Sequence, residues 1–232
     1  MSNTTEISVI SSMATKALLT ELKAEFERTH PGIAVRLESV GGVDAAKRVQ
    51  AGEVFDVVAL ASDALERLIG AGHLVAASRV DVVRSDVAVA VPAGSPRPDI
   101  STEEALKAAV LAAPTLGYST GPSGVQLAKL FERWGIAEQV GARIVTPPSG
   151  VPVGSLVAKG EVALGFQQRS ELMNVPGIDL LGGLPEAVQI VTIFSAARSA
   201  KATQAAAADA FLRFLASPAT AAIKERHGMA PA

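Results

Sequence analysis

The sequence predicts an α/β protein built as two similar α/β lobes around a ligand cleft, joined by two crossovers. Three observations carry that reading. Short apolar runs alternate with helix-period patterns from end to end. A set of short motifs recurs at one constant offset. Segments rich in Ser, Thr and Gly fall where strands give way to helices.

Glu6 to Ile10 reads as a strand, and Leu18, Leu22 and Phe26 then lie on one face of an amphipathic helix. Thr29-His30-Pro31-Gly32 stops that helix, and Ile33 to Glu38 is the next strand. Gly41-Gly42 leads into a short helix to about Gln50, and Val54 to Leu60 reads as a buried strand. Ser62 is placed to cap a helix carrying Leu65, Leu68 and Ile69, which Gly70-Ala71-Gly72 ends. Asp86 to Val91 is a strand closed by Pro92-Ala93-Gly94-Ser95-Pro96, and Ser101-Thr102-Glu103-Glu104 has the form of a capping box. Thr115 to Ser119 is a strand, followed by a helix striped with Leu127, Leu130, Phe131 and Trp134. Ala142 to Val145, Val162 to Gln167, Ile178 to Leu181 and Val188 to Phe194 are the remaining strands. The C-terminal part is helical, with Ala210, Phe211, Phe214 and Leu215 on the core side, and Ser217-Pro218 starts a last short helix.

Val49-x-x-Gly52-Glu53-Val54 returns as Val157-x-x-Gly160-Glu161-Val162, 108 residues later. At the same offset Gly42-Val43 matches Gly150-Val151, and Ser11 matches Ser119. Short matches come easily in a chain rich in Ala, Val and Gly. A single register across three strand-to-helix regions is harder to reach by chance and predicts two lobes of related topology.

With 232 residues, 49% of them hydrophobic and 19% charged, the chain can bury real cores and is not a disordered segment. Its net charge of −2, without any basic stretch, argues against nucleic-acid binding, which needs a cationic face. The absence of cysteine excludes disulfides and thiolate chemistry. His30, His73 and His227 lack the spacing of metal ligands, so no metal and no cofactor is expected. No apolar run approaches the ~20 residues that span a bilayer, and membrane insertion is not expected.

Ligands of open α/β sheets bind at the carboxyl ends of strands, beside helix N-termini. Four such ends stand out: Ser11-Ser12-Met13, Gly41-Gly42-Val43, Ser119-Thr120-Gly121-Pro122-Ser123-Gly124 and Ser149-Gly150-Val151. Glycine allows close backbone approach, hydroxyls donate to oxygens, and the free N–H groups of a helix start favour an anion without any cationic side chain. The plainer reading is that Ser11, Ser12 and Ser123 cap helices while Gly41, Gly42 and Gly121 serve turns.

The succession Ser11-Ser12, Gly41-Gly42, then Gly52-Glu53-x-x-Asp56-Val57-Val58 resembles the molybdate-binding proteins within the type 2 periplasmic solute-binding superfamily. Leu65-x-x-Leu68-Ile69-x-x-Gly72, the strand Val87 to Pro92, and Ala210-Phe211-Leu212-x-Phe214-Leu215-x-Ser217-Pro218 extend the resemblance over nearly the whole chain. It implies lobe 1 over residues 1–83 plus 195–232 and lobe 2 over 84–194. It also implies an oxyanion held by Ser12, by a residue between Ser39 and Gly42, by Ser123 to Val125, and by Val151. The sequence departs from the family after the strand ending at Phe166, where molybdate binders present a tyrosine. Here Gly165-Phe166-Gln167-Gln168-Arg169 offers Gln167, which favours an organic carboxylate and resembles the branch that includes bacterial aconitate isomerase. Arg84, at the inferred crossover, is either a bidentate carboxylate contact or a surface charge.

The leading expectation is a solute-binding protein for a small anion, an oxyanion or a di- or tricarboxylate. Ser11, Ser12, Gly41, Gly42, Thr120, Ser123, Gly124, Val151, Gln167 and Arg84 are its candidate ligand-binding residues. The alternative is an isomerase of an unsaturated tricarboxylate such as aconitate, and a third reading is an anion sensor. The isomerase needs a general base; no histidine lies at a ligand loop, and Asp44, Tyr118 and Arg169 are only nearby. Met1 to Glu6 has neither a basic region nor an apolar core, so the expected location is cytoplasmic as the chain stands. It is periplasmic, with an ABC transporter permease as partner, if an export signal precedes it.

Overall fold

A computed structural model describes residues 4–148 and 151–232. Two compact units share the chain. Unit 1 is Met1–Arg84 with Ile193–Ala232, and unit 2 is Ser85–Thr192.

In unit 1, β1 (Thr5–Ser12) leads through a 3-10 turn, Met13–Thr15, into α1 (Lys16–Thr29). Then come β2 (Ile33–Val40), α2 (Gly42–Gln50), β3 (Val57–Ala61) and α3 (Ser62–Gly70). The long β4 (Val80–Pro92) carries the chain into unit 2. There α4 (Glu103–Ala112), β5 (Leu116–Tyr118), α5 (Pro122–Arg133), α6 (Ala137–Gly141), β6 (Ile144–Val145), α7 (Val153–Ala158), β7 (Leu164–Gln168), α8 (Arg169–Leu172) and β8 (Ile178–Gly183) follow in order. The chain returns through β9 (Val191–Arg198) to α9 (Ala205–Ala216), α10 (Ala221–Arg226) and β10 (Ala230–Pro231).

The sheet of unit 1 runs β2-β1-β3-β9, with β1 parallel to β2 and β3, and β9 antiparallel to β3. Strand alternation sends successive side chains to opposite faces. Ile7, Val9, Val57 and Ala59 pack with α1 and α9, while Ile10, Val58 and Leu60 pack with α2 and α3. Phe26 sits at the centre of the first face, fully buried, its ring centroid 5.0 Å from that of Phe211 and 5.4 Å from that of Phe214. Unit 2 repeats the plan: β5 is parallel to β6 and β7, and β4 pairs antiparallel with β7 and β8. Val87, Val89, Leu116 and Phe166 face α4, α5 and α6, whereas Ala88, Ala90 and Val162 face α7 and α8.

The repeat read from sequence recurs in strand register. Val9 pairs with Val57 in unit 1 and Gly117 with Gly165 in unit 2; Ser8 pairs with Arg36, and Leu116 with Ile144. Each of these four positions in unit 2 lies 108 residues after its counterpart. The match of Gly42-Val43 with Gly150-Val151, and the candidate strand end Ser149-Gly150-Val151, involve residues 149 and 150, which lie outside those described.

Several local expectations are corrected. Ser62 is the first residue of α3 and not its cap, since Ala61 occupies the cap position. The cap of α4 is Thr102, whose hydroxyl accepts the Ala105 N–H at 3.1 Å, so the box built on Ser101 is shifted by one residue. Val54 is 48% exposed and precedes β3, because Asp56 is bound instead to Ser8. Pro185 opens a 3-10 turn, Glu186–Val188, which delays β9 to Val191. The five-residue α6, too short to show a period, replaces the stretch before β6.

Candidate functional site

In unit 1 the carboxyl ends of β1 and β2 lie side by side, Ser12 opposite Val40, so Ser11, Ser12, Gly41 and Gly42 share one sheet edge. Ser11 is fully buried, and its hydroxyl shares a 2.7 Å hydrogen bond with that of Ser39. It ties β1 to β2. Ser12 holds the cap position of the 3-10 turn, but its hydroxyl makes no capping bond and lies 3.4 Å from that of Thr15. Gly41 is the cap of α2, its carbonyl accepting the Ala45 N–H at 2.9 Å. The first turn of α1 carries no acid; that of α2 carries Asp44.

Asp56, directly before β3 of the same unit, is a structural knot. One carboxylate oxygen accepts from the Ser8 N–H at 2.8 Å and the Ser8 hydroxyl at 3.0 Å. The other accepts from the N–H groups of Thr203 at 2.7 Å and Gln204 at 3.0 Å, and from the Thr203 hydroxyl at 3.1 Å. Burial alone would raise its pKa, but the bonds from Ser8, Gln204 and Thr203 outweigh it and hold the carboxyl below its ordinary value.

In unit 2 the register of Tyr118 with Phe166 puts the loop after β5 beside the end of β7. That edge gathers Thr120, Ser123, Gly124, Val151 and Gln167. The cap of α5 is Gly121, and Ser123 lies inside the first turn, buried, where it is not a cap. Pro122 at the helix start has no N–H to lose, and no acid occupies the first turn. Glycine is obligatory at 124, since a Cβ there would lie 1.7 Å from the Ser119 carbonyl oxygen. Thr120 is exposed, and Val151, 40% exposed, already donates its N–H to the Pro148 carbonyl at 3.1 Å.

Gln167 is almost fully buried at the end of β7. Its carbonyl oxygen accepts the Gly154 N–H of α7 at 3.1 Å, and its Nε2 donates to Glu171 Oε1 of α8 at 2.8 Å. Burial pushes the Glu171 carboxyl up to about 7, with the Gln167 bond opposing that rise. Sequence reading missed Glu171; the signal was a Gln and a Glu four apart directly after a buried strand. Beside it, Gln168 donates to the Thr192 hydroxyl at 2.7 Å while its own carbonyl oxygen is buried without a partner among the described residues. Arg84 is exposed on β4, in register with Ala230. Among the described residues no group of three or more His, Cys, Asp or Glu could hold a metal ion, and no helix is long and apolar enough to cross a membrane.

Residues 7–230 match the profile of the bacterial extracellular solute-binding proteins. The chain belongs to that family. A relative named aconitate isomerase, from a Pseudomonas species, is 40% identical over 185 residues, 79% of this chain and 70% of that protein. The family fold is equally clear in solved structures. The periplasmic molybdate-binding protein of Azotobacter vinelandii superposes with a TM-score of 0.80 at 20% identity, covering 97% of this chain and 99% of that one. The tungstate-binding protein of Desulfovibrio alaskensis gives 0.72 at 19% identity, over 98% and 99% of the two chains. The sulfate-binding protein of Mycobacterium tuberculosis gives 0.78 at 17%, over 98% and 87%. The architecture is therefore the type 2 periplasmic-binding-protein fold.

Proposed function

We propose that this family member binds a small organic polycarboxylate, with donors drawn from the Ser/Thr/Gly edge of unit 2 that also carries Gln167. The observation that carries the reading is the pair Gln167–Glu171. An amide and a carboxyl that burial raises to about 7 lie side by side at the end of β7, and the carboxyl in its protonated form can donate to a carboxylate partner. Thr120, Ser123 and Gly124 supply neutral hydroxyl and amide donors, and the start of α5 is free of competing acids. Val151 shapes the loop that leads into α7. If the protein is exported, its liganded form is what an ABC permease would receive.

A thermal-shift panel tests this directly. Citrate and the two aconitate isomers, at about 100 times their Kd, stabilise by about 2.7 kcal/mol, which is roughly 5–10 °C for a chain of this size. Molybdate, tungstate and sulfate leave the midpoint unmoved. A shift with the inorganic oxyanions alone overturns the proposal.

A second reading, isomerisation of an unsaturated tricarboxylate such as aconitate, is favoured by the 40% identity to the Pseudomonas protein of that name. Incubation with cis-aconitate, followed for the trans isomer, tests it.

A further inference from the structure

We propose that Glu171 is the general base of this site, shuttling a proton between two carbons of a bound unsaturated polycarboxylate, with Gln167 as its positioning residue. The inference rests on the isomerase reading and supplies the group that reading lacks.

The placement comes first. β7 alternates between two faces, so Gln167 falls on the side of α7 and α8, away from Phe166. Its amide is pinned from α7 by the Gly154 N–H and in turn fixes Glu171 Oε1. The buried clamp sets the rotamer of the carboxyl at the same carboxyl edge that carries Thr120, Ser123 and Gly124. Among the described residues Gln167 is the only hydrogen-bond donor to Glu171, and no cation bears on its carboxyl; Arg169 on α8 and Lys159 at the end of α7 are exposed. Asp179 on β8 is occupied with the Gly94 N–H. Among the described residues Oε2 accepts no hydrogen bond, which leaves it to meet a substrate.

Second comes the chemistry. A methylene flanked by a carboxylate and a carbon–carbon double bond is a weak carbon acid. Glu171 takes one of its protons, and the electron pair spreads over the allylic system into the carboxylates. The double bond re-forms toward the former methylene carbon, and the former vinylic carbon receives the proton back from Glu171. One C–H bond breaks and one forms, with no change of oxidation state. Such a base works best with a pKa near the working pH, and burial without a cationic partner places the Glu171 carboxyl there, at about 7.

The test uses the whole protein with cis-aconitate in D2O. NMR follows deuterium entry at the methylene and formation of the trans isomer, and calorimetry measures binding. We expect Glu171→Gln to bind within about threefold of wild type while exchange and isomerisation fall by roughly 10²–10⁴-fold. Glu171→Asp keeps measurable exchange, which separates lost chemistry from a misfolded variant. Gln167→Leu shifts the midpoint of the pH–rate profile with a smaller loss in kcat. If Glu171→Gln exchanges as fast as wild type, Glu171 is not the base, while the isomerase reading stands. If wild type binds cis-aconitate and exchanges nothing, the isomerase reading itself fails and takes this inference with it.

Discussion

Gly52 and Gly160 end their helices in the same way, 108 residues apart. Both adopt positive φ, +89° and +74°, and each returns its N–H to the valine three residues earlier, at 3.0 and 2.9 Å. The next residue closes the motif identically, Glu53 onto the Arg48 carbonyl and Glu161 onto that of Leu156. What reads in the sequence as Val-x-x-Gly-Glu-Val is therefore one C-terminal helix stop used twice.

That equivalence makes a prediction. Left-handed backbone costs a Cβ-bearing residue about 1–2 kcal/mol. Gly160→Ala meets no atom within 4 Å and should lose about that amount, seen as a lower urea midpoint with unchanged slope. Gly52→Ala should lose about the same, because the atom its Cβ would approach, Lys201 Nζ at 3.2 Å, ends a flexible side chain that can move aside.

Asp56 predicts the acid limb of stability. A carboxyl held below its ordinary pKa in the folded state stabilises fully above the unfolded value, and that contribution fades as pH falls through the folded one. Melting temperature should drop more steeply below about pH 4 in wild type than in Asp56→Asn. At pH 7 Asp56→Ala should cost about 3 kcal/mol, since it strands the buried donors of Ser8 and Thr203.

Glu171 has the opposite sign. Its carboxyl, raised from 4.5 to about 7, keeps its proton in the folded state where the unfolded chain has lost it. Stability therefore declines as pH rises from about 4.5 through 7 and then levels off. Glu171→Gln, neutral at every pH and still able to accept from Gln167, should melt several degrees above wild type at pH 8 and close to it at pH 5. A variant that melts lower than wild type at pH 8 would contradict the burial argument.

How far the sequence foretold this depends on the range of each interaction. The strand and helix succession was legible because burial is periodic, and Phe26, Val58 and Leu127 stand where their periods put them. The repeat was legible because its helix stop demands glycine. Asp56 stood in a recognisable motif, but its role depends on Thr203, 147 residues away, and no local pattern encodes that bond. Glu171 was missed for a different reason. Its clamp bridges a strand end and a four-residue helix, where neither the strand period nor the helix period applies. Capping serines were misplaced at 62 and 101 because hydroxyl residues sit equally well at a cap and one residue beside it.

Ser12 and Ser123 allow the donor edges to be tested one at a time. Each is 6% exposed, and neither caps a helix through its side chain, so structure alone makes little demand on either hydroxyl. Removing a hydrogen bond to a charged ligand costs about 1.5–3 kcal/mol. Ser123→Ala should therefore weaken binding of the polycarboxylate by roughly 10- to 100-fold, while Ser12→Ala reads whether the edge of unit 1 contributes at all. Their melting temperatures without ligand should move by no more than about 3 °C. Calorimetric titration of the two variants reads this out. Unchanged affinity in Ser12→Ala, beside a clear loss in Ser123→Ala, would confine the site to the edge that carries Gln167 and Glu171.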